Sequence, residues 1–368
     1  MKKVIIPIPI FRKIICVLLL VFVPGIHPIS AQQAAIRVSP EMTDQVGIET
    51  HKSLYSQAYL EIVDMLDGKT PLSLKRAVFL PEWAYMNGNL DYDKYCSEIS
   101  YISQTLKQFM KLNGLDKNPI GGNIALFEFF TNPNPLNGYK TYVYDFDDFS
   151  GKKDYSKLFV TKLMATHSGQ CRSLPLFYKI LSNEIGAESY IAYAPNHSFI
   201  RHKSEDGSRY MCVELTNYSM PREIFIIEKM GITPAAIQKG TYMKPCGDRE
   251  IIINLLTDLA SGYIRLYGWD KFAKRCYETA LIHSPGNLHA LMGKNNYLLV
   301  TGTLYLEQLK KNGLPRNMVE EIELEYFANL EAIDATGHMD MPPELYEDWV
   351  MSVREEIKNR NNKETINP

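Results

Sequence analysis

The feature that most restricts the possible folds of this chain is a predicted helix followed directly by a short β-meander. The helical pattern runs from Cys171 to Ile185, with apolar residues on one face and Gly186 placed to end it. Pro175 is tolerated only near a helix start, where the amides lack helical partners, so this helix must begin close to Cys171. Three strand-like stretches follow, SYIAYA, HSFIRH and RYMCVELT. This order of elements predicts an α+β fold.

The turn between the last two strands decides which of their residues can meet. The linking segment KSEDGS contains Asp206-Gly207, a pair that favours a hairpin turn. Centred there, the register places His197 and Glu214 on the same face as diagonal neighbours, about 7 to 8 Å apart at the backbone. A glutamate side chain spans that gap. A register shifted by one residue would put the two side chains on opposite faces.

A thiol, an imidazole and a carboxylate in this region suggest nucleophilic catalysis. Cys171 at a helix start meets the positive end of the helix dipole, which favours a thiolate, and nearby amides can hold an oxyanion. His197 can take the thiol proton, and Glu214 can orient the imidazole. We therefore predict Cys171, His197 and Glu214 as the catalytic residues. Three alternatives stay open: Cys171 as a small buried apolar residue, His167 as the base and Asn217 as the orienting group.

The N-terminus has the pattern of a signal peptide. Four basic residues precede the apolar run 14–23: Lys2, Lys3, Arg12 and Lys13. The small residues Ser30 and Ala31 after the run suit cleavage by a signal peptidase. An uncleaved anchor is the alternative, but ten apolar residues fall short of the roughly 20 that span a bilayer. We predict that residues 1–31 are removed, which makes the mature protein periplasmic or secreted and leaves it without a membrane attachment.

Charge and cysteine content exclude some partners and cofactors. Removal of residues 1–31 takes away four basic residues and leaves 36 basic and 42 acidic residues, a net charge of −6. No basic block remains for a nucleic-acid backbone, so we predict no nucleic-acid partner. No CxxC pair suggests zinc, and we predict no metal and no cofactor. The mature chain has an odd number of cysteines, which indicates at least one free thiol and leaves the pairing of the others open: Cys96, Cys171, Cys212, Cys246 and Cys276.

Helices are predicted on both sides of this region. Thr70 is a candidate N-cap with Pro71 in the first helical position, and an amphipathic helix follows from Asp91 to Asn113. Residues 117–156 are rich in Pro, Gly, Asn and Asp, which predicts a loop with at most short strands.

From about Arg249 onward the whole pattern is helical. Here small and aromatic residues have the spacing of the second helix of a tetratricopeptide repeat: Ala273, Tyr277, Ala280 and Pro285.

These stretches resemble a known family. The sequence GQCRSLPLFYKILSNEIGAESYIAYAPNHSFIRH, followed by VELT, is similar to the transglutaminase-like superfamily, in which Gly-x-Cys opens a helix, a His begins a strand and an acidic residue stands on the next strand. SLKRAVFLPEWAYMNGNLDYDKYCSEISYISQTL resembles the helical leader of the SirB-type branch, in which tetratricopeptide helices follow the core. The likeness covers about residues 60–300 and is most specific between 166 and 217.

The resemblance implies a domain plan. A signal peptide at 1–31 would precede a region at 32–245, made of the helical leader and a transglutaminase-like, papain-like core at about 166–220. An all-α tetratricopeptide-like region would occupy 246–368.

The resemblance also implies an activity, with two departures. Many SirB-type members have Gly-x-Pro where this chain has Gly-Gln-Cys171 and so lack the nucleophile. The presence of the cysteine favours activity in this chain. Enzymatic members usually have Asp-Pro-Thr on the third strand and Trp after the cysteine. This chain has Glu214-Leu215-Thr216 and Arg172 instead, which favours hydrolysis over crosslinking.

Two functions follow as expectations. The first is an exported bacterial cysteine peptidase or amidase that cleaves an amide bond in a peptide, protein or cell-wall-type substrate. The second is a catalytically inactive periplasmic module whose C-terminal helices bind a protein partner, because stacked helical repeats form concave binding faces.

Overall fold

The chain folds into many helices around two small sheets, which confirms the predicted α+β class. The structure is a computed structural model, and it describes residues 45–148, 150–312 and 316–366. The predicted signal peptide lies outside the described residues.

Three helices come first, and their caps show where they begin: α1 (Gln45–Leu66), α2 (Leu74–Tyr85) and α3 (Tyr92–Leu112). The hydroxyl of Ser73 caps α2, so the prediction of Thr70 as its N-cap is wrong. The amide of Thr70 instead donates to the carbonyl of Asp64, in the turn that ends α1. The predicted cap Asp91 and the predicted end at Asn113 are both confirmed for α3.

Residues 117–156 contain a helix that the composition concealed, α4 (Gly121–Thr131). Its two glycines lie where backbones approach closely: a Cβ at Gly121 would overlap the carbonyl oxygen of Leu115, and one at Gly122 would lie 2.6 Å from the Cβ of Ala187. Most of the remaining α4 side chains are buried. Tertiary packing therefore outweighs the weak helix propensity of glycine here. Short 3-10 helices complete the stretch at Leu115–Lys117, Pro135–Asn137 and Tyr155–Leu158.

The segment that carries the predicted site has a parallel strand pair, a helix and a three-stranded antiparallel sheet. Its elements are β1 (Val143–Tyr144), α5 (Val160–Thr166), β2 (Ser168–Gly169), α6 (Ser173–Ile185), β3 (Tyr190–Ala194), β4 (His197–Lys203) and β5 (Tyr210–Val213). β1 pairs with β2, and the larger sheet has the order β3-β4-β5. Gly186 ends α6 with a left-handed backbone, as predicted.

The predicted register of the hairpin is confirmed. Ile200 pairs with Val213 and Arg201 with Cys212, as a turn centred on Asp206-Gly207 requires. β5 ends at Val213, and Glu214 continues into an isolated bridge with Ser219.

The described residues from Asp248 onward are helical, as predicted from about Arg249, and two short helices that were not predicted precede them. The elements are α7 (Glu223–Lys229), α8 (Pro234–Gln238), α9 (Asp248–Tyr267), α10 (Lys271–His283), α11 (Leu288–Asn312), α12 (Arg316–Ala335) and α13 (Pro343–Ile366). Of the residues predicted to have tetratricopeptide spacing, Ala273, Tyr277 and Ala280 are buried on α10. Gly293 on α11 lies against the ring of Tyr277, which lets α10 and α11 approach closely.

Two apolar cores cover the two faces of the larger sheet. The larger core joins the early helices, α6 and the helices after residue 246, and it includes Leu80, Phe177 and Leu256. The smaller core lies on the other face, between Phe199 of β4 and Trp349 of α13. The division at 245/246 stays a prediction.

Candidate active site

Cys171 lies in the turn between β2 and α6, just before the first helical residue Ser173. Side chains hold this turn from both directions. The hydroxyl of Ser173 accepts from the amide of Gln170 at 2.9 Å, and the hydroxyl of Ser198 donates to the carbonyl of Cys171 at 2.6 Å. The cysteine is partly exposed. The predicted helix start therefore places the thiol on the end of α6, beside strand β4.

The tight turn between β3 and β4 brings a carbonyl to the thiol. Pro195 and Asn196 form this turn, and Asn196 has a left-handed backbone with φ 56°. The thiol of Cys171 donates to the carbonyl oxygen of Asn196 over 4.0 Å. The turn thus places the first residue of β4, His197, close to the cysteine.

His197 and Glu214 form a buried pair, as the register predicted. Nε2 of His197 lies 2.5 Å from Oε2 of Glu214, and both side chains are almost fully buried. The second carboxylate oxygen, Oε1, accepts from the amide of Thr216 at 3.0 Å and from its hydroxyl at 2.7 Å. Glu214 is therefore held in one orientation by the residue two positions later.

The third member of the predicted set interacts with the same imidazole. The thiol of Cys171 is among the groups that raise the pKa of His197. Because Nε2 faces Glu214, Nδ1 is the ring nitrogen left for the thiol. Nδ1 is buried and makes no regular hydrogen bond among the described residues. The structure thus brings Cys171, His197 and Glu214 together in that order.

Charge pairing decides the protonation state of the imidazole. Burial lowers the pKa of His197, but the charge of Glu214, the hydrogen bond to Glu214 and the nearby thiol of Cys171 together raise it to about 10. Burial likewise raises the pKa of Glu214, while His197 and the hydrogen bonds from Thr216 bring it below its usual value. The pair is an imidazolium and a carboxylate at neutral pH. An imidazolium beside a thiol is the arrangement that a nucleophilic cysteine needs.

The alternative base and orienting group lie in other surroundings. His167 has a left-handed backbone, stacks on Tyr142 with ring centroids 4.3 Å apart and bonds to the carbonyl of Lys140 at 2.9 Å. Asn217 accepts a hydrogen bond from Ser219 at 2.7 Å. Glu214, not Asn217, is the group on the imidazole.

Three supporting residues were not predicted. Ser198 and Thr216 hold Cys171 and Glu214, and each lies one or two positions from a predicted site residue, so local sequence could have suggested them. Gln170 is fully buried, and its amide donates to the carbonyls of Asp145 and Asp148. It ties the loop after β1 to the turn of Cys171.

Arg172 connects this turn to the C-terminal helices. Its guanidinium forms an ion pair with Asp258 on α9. The residue after Cys171 is therefore held by a salt bridge.

Three further findings concern the described residues as a whole. Across residues 45–148, 150–312 and 316–366, no group of three histidine, cysteine or acidic side chains converges so that it could hold a metal ion. None of the helices in those ranges has both the length and the apolar character needed to cross a bilayer. The five described cysteines are all free.

The fold and site together define a mixed α+β protein with a thiol, imidazole and carboxylate cluster where a helix start meets a sheet. Comparison of the chain with protein-family models, with curated proteins and with solved structures gave no significant match.

Proposed function

We propose that this protein is an exported cysteine hydrolase of transglutaminase-like fold that cleaves an amide bond in a peptide or cell-wall-type substrate. The observation that carries the proposal is the bond of the His197 imidazole to the carboxylate of Glu214, with the thiol of Cys171 held 4.0 Å from the carbonyl oxygen of the preceding residue, Asn196. The helix start at Cys171 and the paired strands that present the other two residues match the arrangement expected for such a core.

In the proposed reaction the thiolate of Cys171 attacks the carbonyl carbon of the amide. The oxygen becomes an oxyanion, which the backbone amide of Cys171 helps to stabilise. The imidazolium of His197 donates its proton to the amine nitrogen, the carbon–nitrogen bond breaks, and a thioester remains. Water then attacks the thioester, His197 accepts its proton, and the carboxylic acid product leaves as the thiolate re-forms. Glu214 keeps the imidazole oriented throughout.

Alkylation by iodoacetamide tests the activation of the thiol without knowledge of the substrate. Cys96 is also free and half-buried, so it serves as an internal reference in the same chain. We expect Cys171 to react faster than Cys96 at pH 6 to 7, where an ordinary thiol is mostly protonated because the pKa of an unperturbed cysteine is about 8.5. Peptide mapping by mass spectrometry measures both rates in one sample.

The His197→Ala variant is the matched control. Without the imidazole, the advantage of Cys171 over Cys96 at pH 6 to 7 should disappear. Equal rates for the two cysteines in the unmodified protein, at every pH, would end the proposal.

A non-catalytic binding module is the second candidate, and two observations favour it. The side chain of His197 is only 1% exposed, so its access to substrate and water is restricted. The C-terminal helices also present large apolar side chains to solvent, including Leu324, which is 73% exposed. A partner captured equally well by the protein and its Cys171→Ala variant, but lost with Leu324→Glu, would support this function.

A further inference from the structure

The C-terminal helix α13 lies directly on the candidate active site. Its Trp349 packs against His197 with ring centroids 4.4 Å apart and ring planes tilted by 56°. Trp349 is only 6% exposed and belongs to the smaller apolar core, together with Phe199 of β4. The indole therefore covers the face of the imidazole that the sheet leaves open.

The indole also contacts β1, the strand paired with the one that leads to the cysteine. The ring of Tyr144 lies edge-on to Trp349 at 6.5 Å, and Phe146 lies edge-on to Tyr144 at 4.9 Å. Tyr144 belongs to β1, which pairs with β2 just before the turn of Cys171. Tyr144 and His197 thus form two walls of an aromatic slot, Phe146 packs behind Tyr144, and Trp349 fills the slot.

The segment before α13 is anchored by hydrogen bonds, whereas the described contacts of α13 itself are mainly apolar and aromatic, with Leu345 and Val350 partly buried against the smaller core. Hydroxyls of Thr241 and Thr233 donate to the carbonyls of Thr336 and Gly337, at 2.7 and 3.0 Å. Pro342 then precedes the helix, and Pro343 is its first residue. Past them, the fully described side chains that α13 buries include Trp349 and Val353, while much of its remaining sequence is charged or polar.

The position of Trp349 conflicts with a substrate in the site. The mechanism needs a carbonyl carbon at Cys171 and a water molecule within reach of His197. His197 has almost no exposed surface, while Cys171 is partly exposed. A small reagent can therefore reach the thiol, whereas the indole lies between solvent and the imidazole that a bound substrate must reach.

We propose that α13 is a displaceable cover and that the slot beneath Trp349 is the binding site for a large apolar side chain of the substrate, next to the bond that is cleaved. This inference rests on the proposed function, because it assigns the substrate class of the same site. An aromatic wall on two sides selects a flat apolar side chain over a small or charged one. The preferred substrate is thus a peptide or amide with an aromatic residue on the acyl side.

Two alkylating reagents test the slot: the chloromethyl ketones of acetyl-phenylalanine and acetyl-glycine. The thiolate of Cys171 displaces chloride from each, and the two reagents differ in the side chain that would enter the slot. Trp349→Ala should increase the rate with the phenylalanine reagent by about tenfold or more, and the rate with the glycine reagent much less. Free indole should slow the phenylalanine reagent in this variant, because it refills the slot.

Two further variants separate the slot from a general loss of structure. Met351→Ala changes an exposed side chain on the same helix and should leave both rates unchanged. Trp349→Phe keeps an aromatic ring in the slot and should remain close to the parent protein. Circular dichroism of all three variants checks that they are folded.

The outcomes also distinguish this inference from the proposed function. If iodoacetamide shows an activated Cys171 but Trp349→Ala accelerates both chloromethyl ketones equally, or neither, the slot is refuted and the hydrolase is not. If Cys171 behaves like Cys96 towards iodoacetamide even in Trp349→Ala, the hydrolase itself fails.

Discussion

At the scale of single residues, the protonation state of His197 depends on two opposing effects of burial. Removal from water favours the neutral imidazole, but it also strengthens the attraction to any charge nearby. Loss of water is the largest single influence and lowers the pKa of His197, but the charge of Glu214 at 2.5 Å, its hydrogen bond and the nearby Cys171 together outweigh it, so the pKa rises to about 10. His197 in turn keeps the buried carboxylate of Glu214 ionised, and the amide and hydroxyl of Thr216 add to this effect.

Glu214→Gln should lower the stability of the protein in a pH-dependent way. The raised pKa of His197 contributes stability that is fully present below about pH 6.5 and is lost as the pH rises through about 10. The variant lacks the main cause of that shift, so we expect its free energy of unfolding at pH 7 to be lower by about 1 to 3 kcal/mol. Urea unfolding at pH 7, 8.5 and 10 should show the difference shrinking as the pH rises.

Glu188→Gln is the control for this effect. Glu188 pairs with Lys203 of the same sheet, and both side chains are about half exposed, so its replacement should cost less than about 1 kcal/mol. A Glu214→Gln deficit that is constant from pH 7 to 10 would contradict the charged pair.

At the scale of elements, the sequence predicts what local chemistry decides and misses what distant packing decides. The hairpin register follows from Asp206-Gly207 and side-chain alternation, so the meeting of His197 and Glu214 could be predicted. Helix α4 could not be predicted, because its glycines and the loop-like residues around it do not indicate a helix, and the helix forms through burial. Trp349 reaches the site from the far end of the chain, and its own surroundings in sequence give no sign of that contact.

Gly121→Ala tests the packing of α4. The new methyl group would overlap the carbonyl oxygen of Leu115, which is backbone and cannot rotate away. We expect the free energy of unfolding to fall by about 1 to 3 kcal/mol, the usual cost of overpacking, despite the better helix propensity of alanine. Urea unfolding measures the change. Gly286→Ala is the matched control, because a Cβ there has no neighbour within 4 Å, and an equal loss in both variants would refute the packing argument.

At the scale of the whole molecule, the site is built from parts that are far apart in sequence. The larger core joins α1, α2, α6, α9 and α10 without a break at residue 246. Polar contacts cross the same boundary: the hydroxyls of Tyr59 and Thr279 lie 2.8 Å apart, and Arg172 pairs with Asp258. The helical C-terminal region is therefore part of what holds the turn of Cys171 in place.

Asp258→Asn tests this link between the helices and the site. Both side chains of the pair are about a quarter exposed, so loss of the charge should cost about 1 to 3 kcal/mol, between the values of surface and buried pairs. Because the core is continuous, we expect one unfolding transition at lower denaturant, seen alike by tryptophan fluorescence and circular dichroism. Arg172 is the neighbour of Cys171, so the iodoacetamide rate of Cys171 should also change relative to that of Cys96.

Glu98→Gln, which removes an exposed pair with Lys94 on α3, should change neither quantity. Two separate transitions, or an Asp258→Asn variant with an unaltered Cys171 rate, would mean that the C-terminal helices fold and act apart from the site.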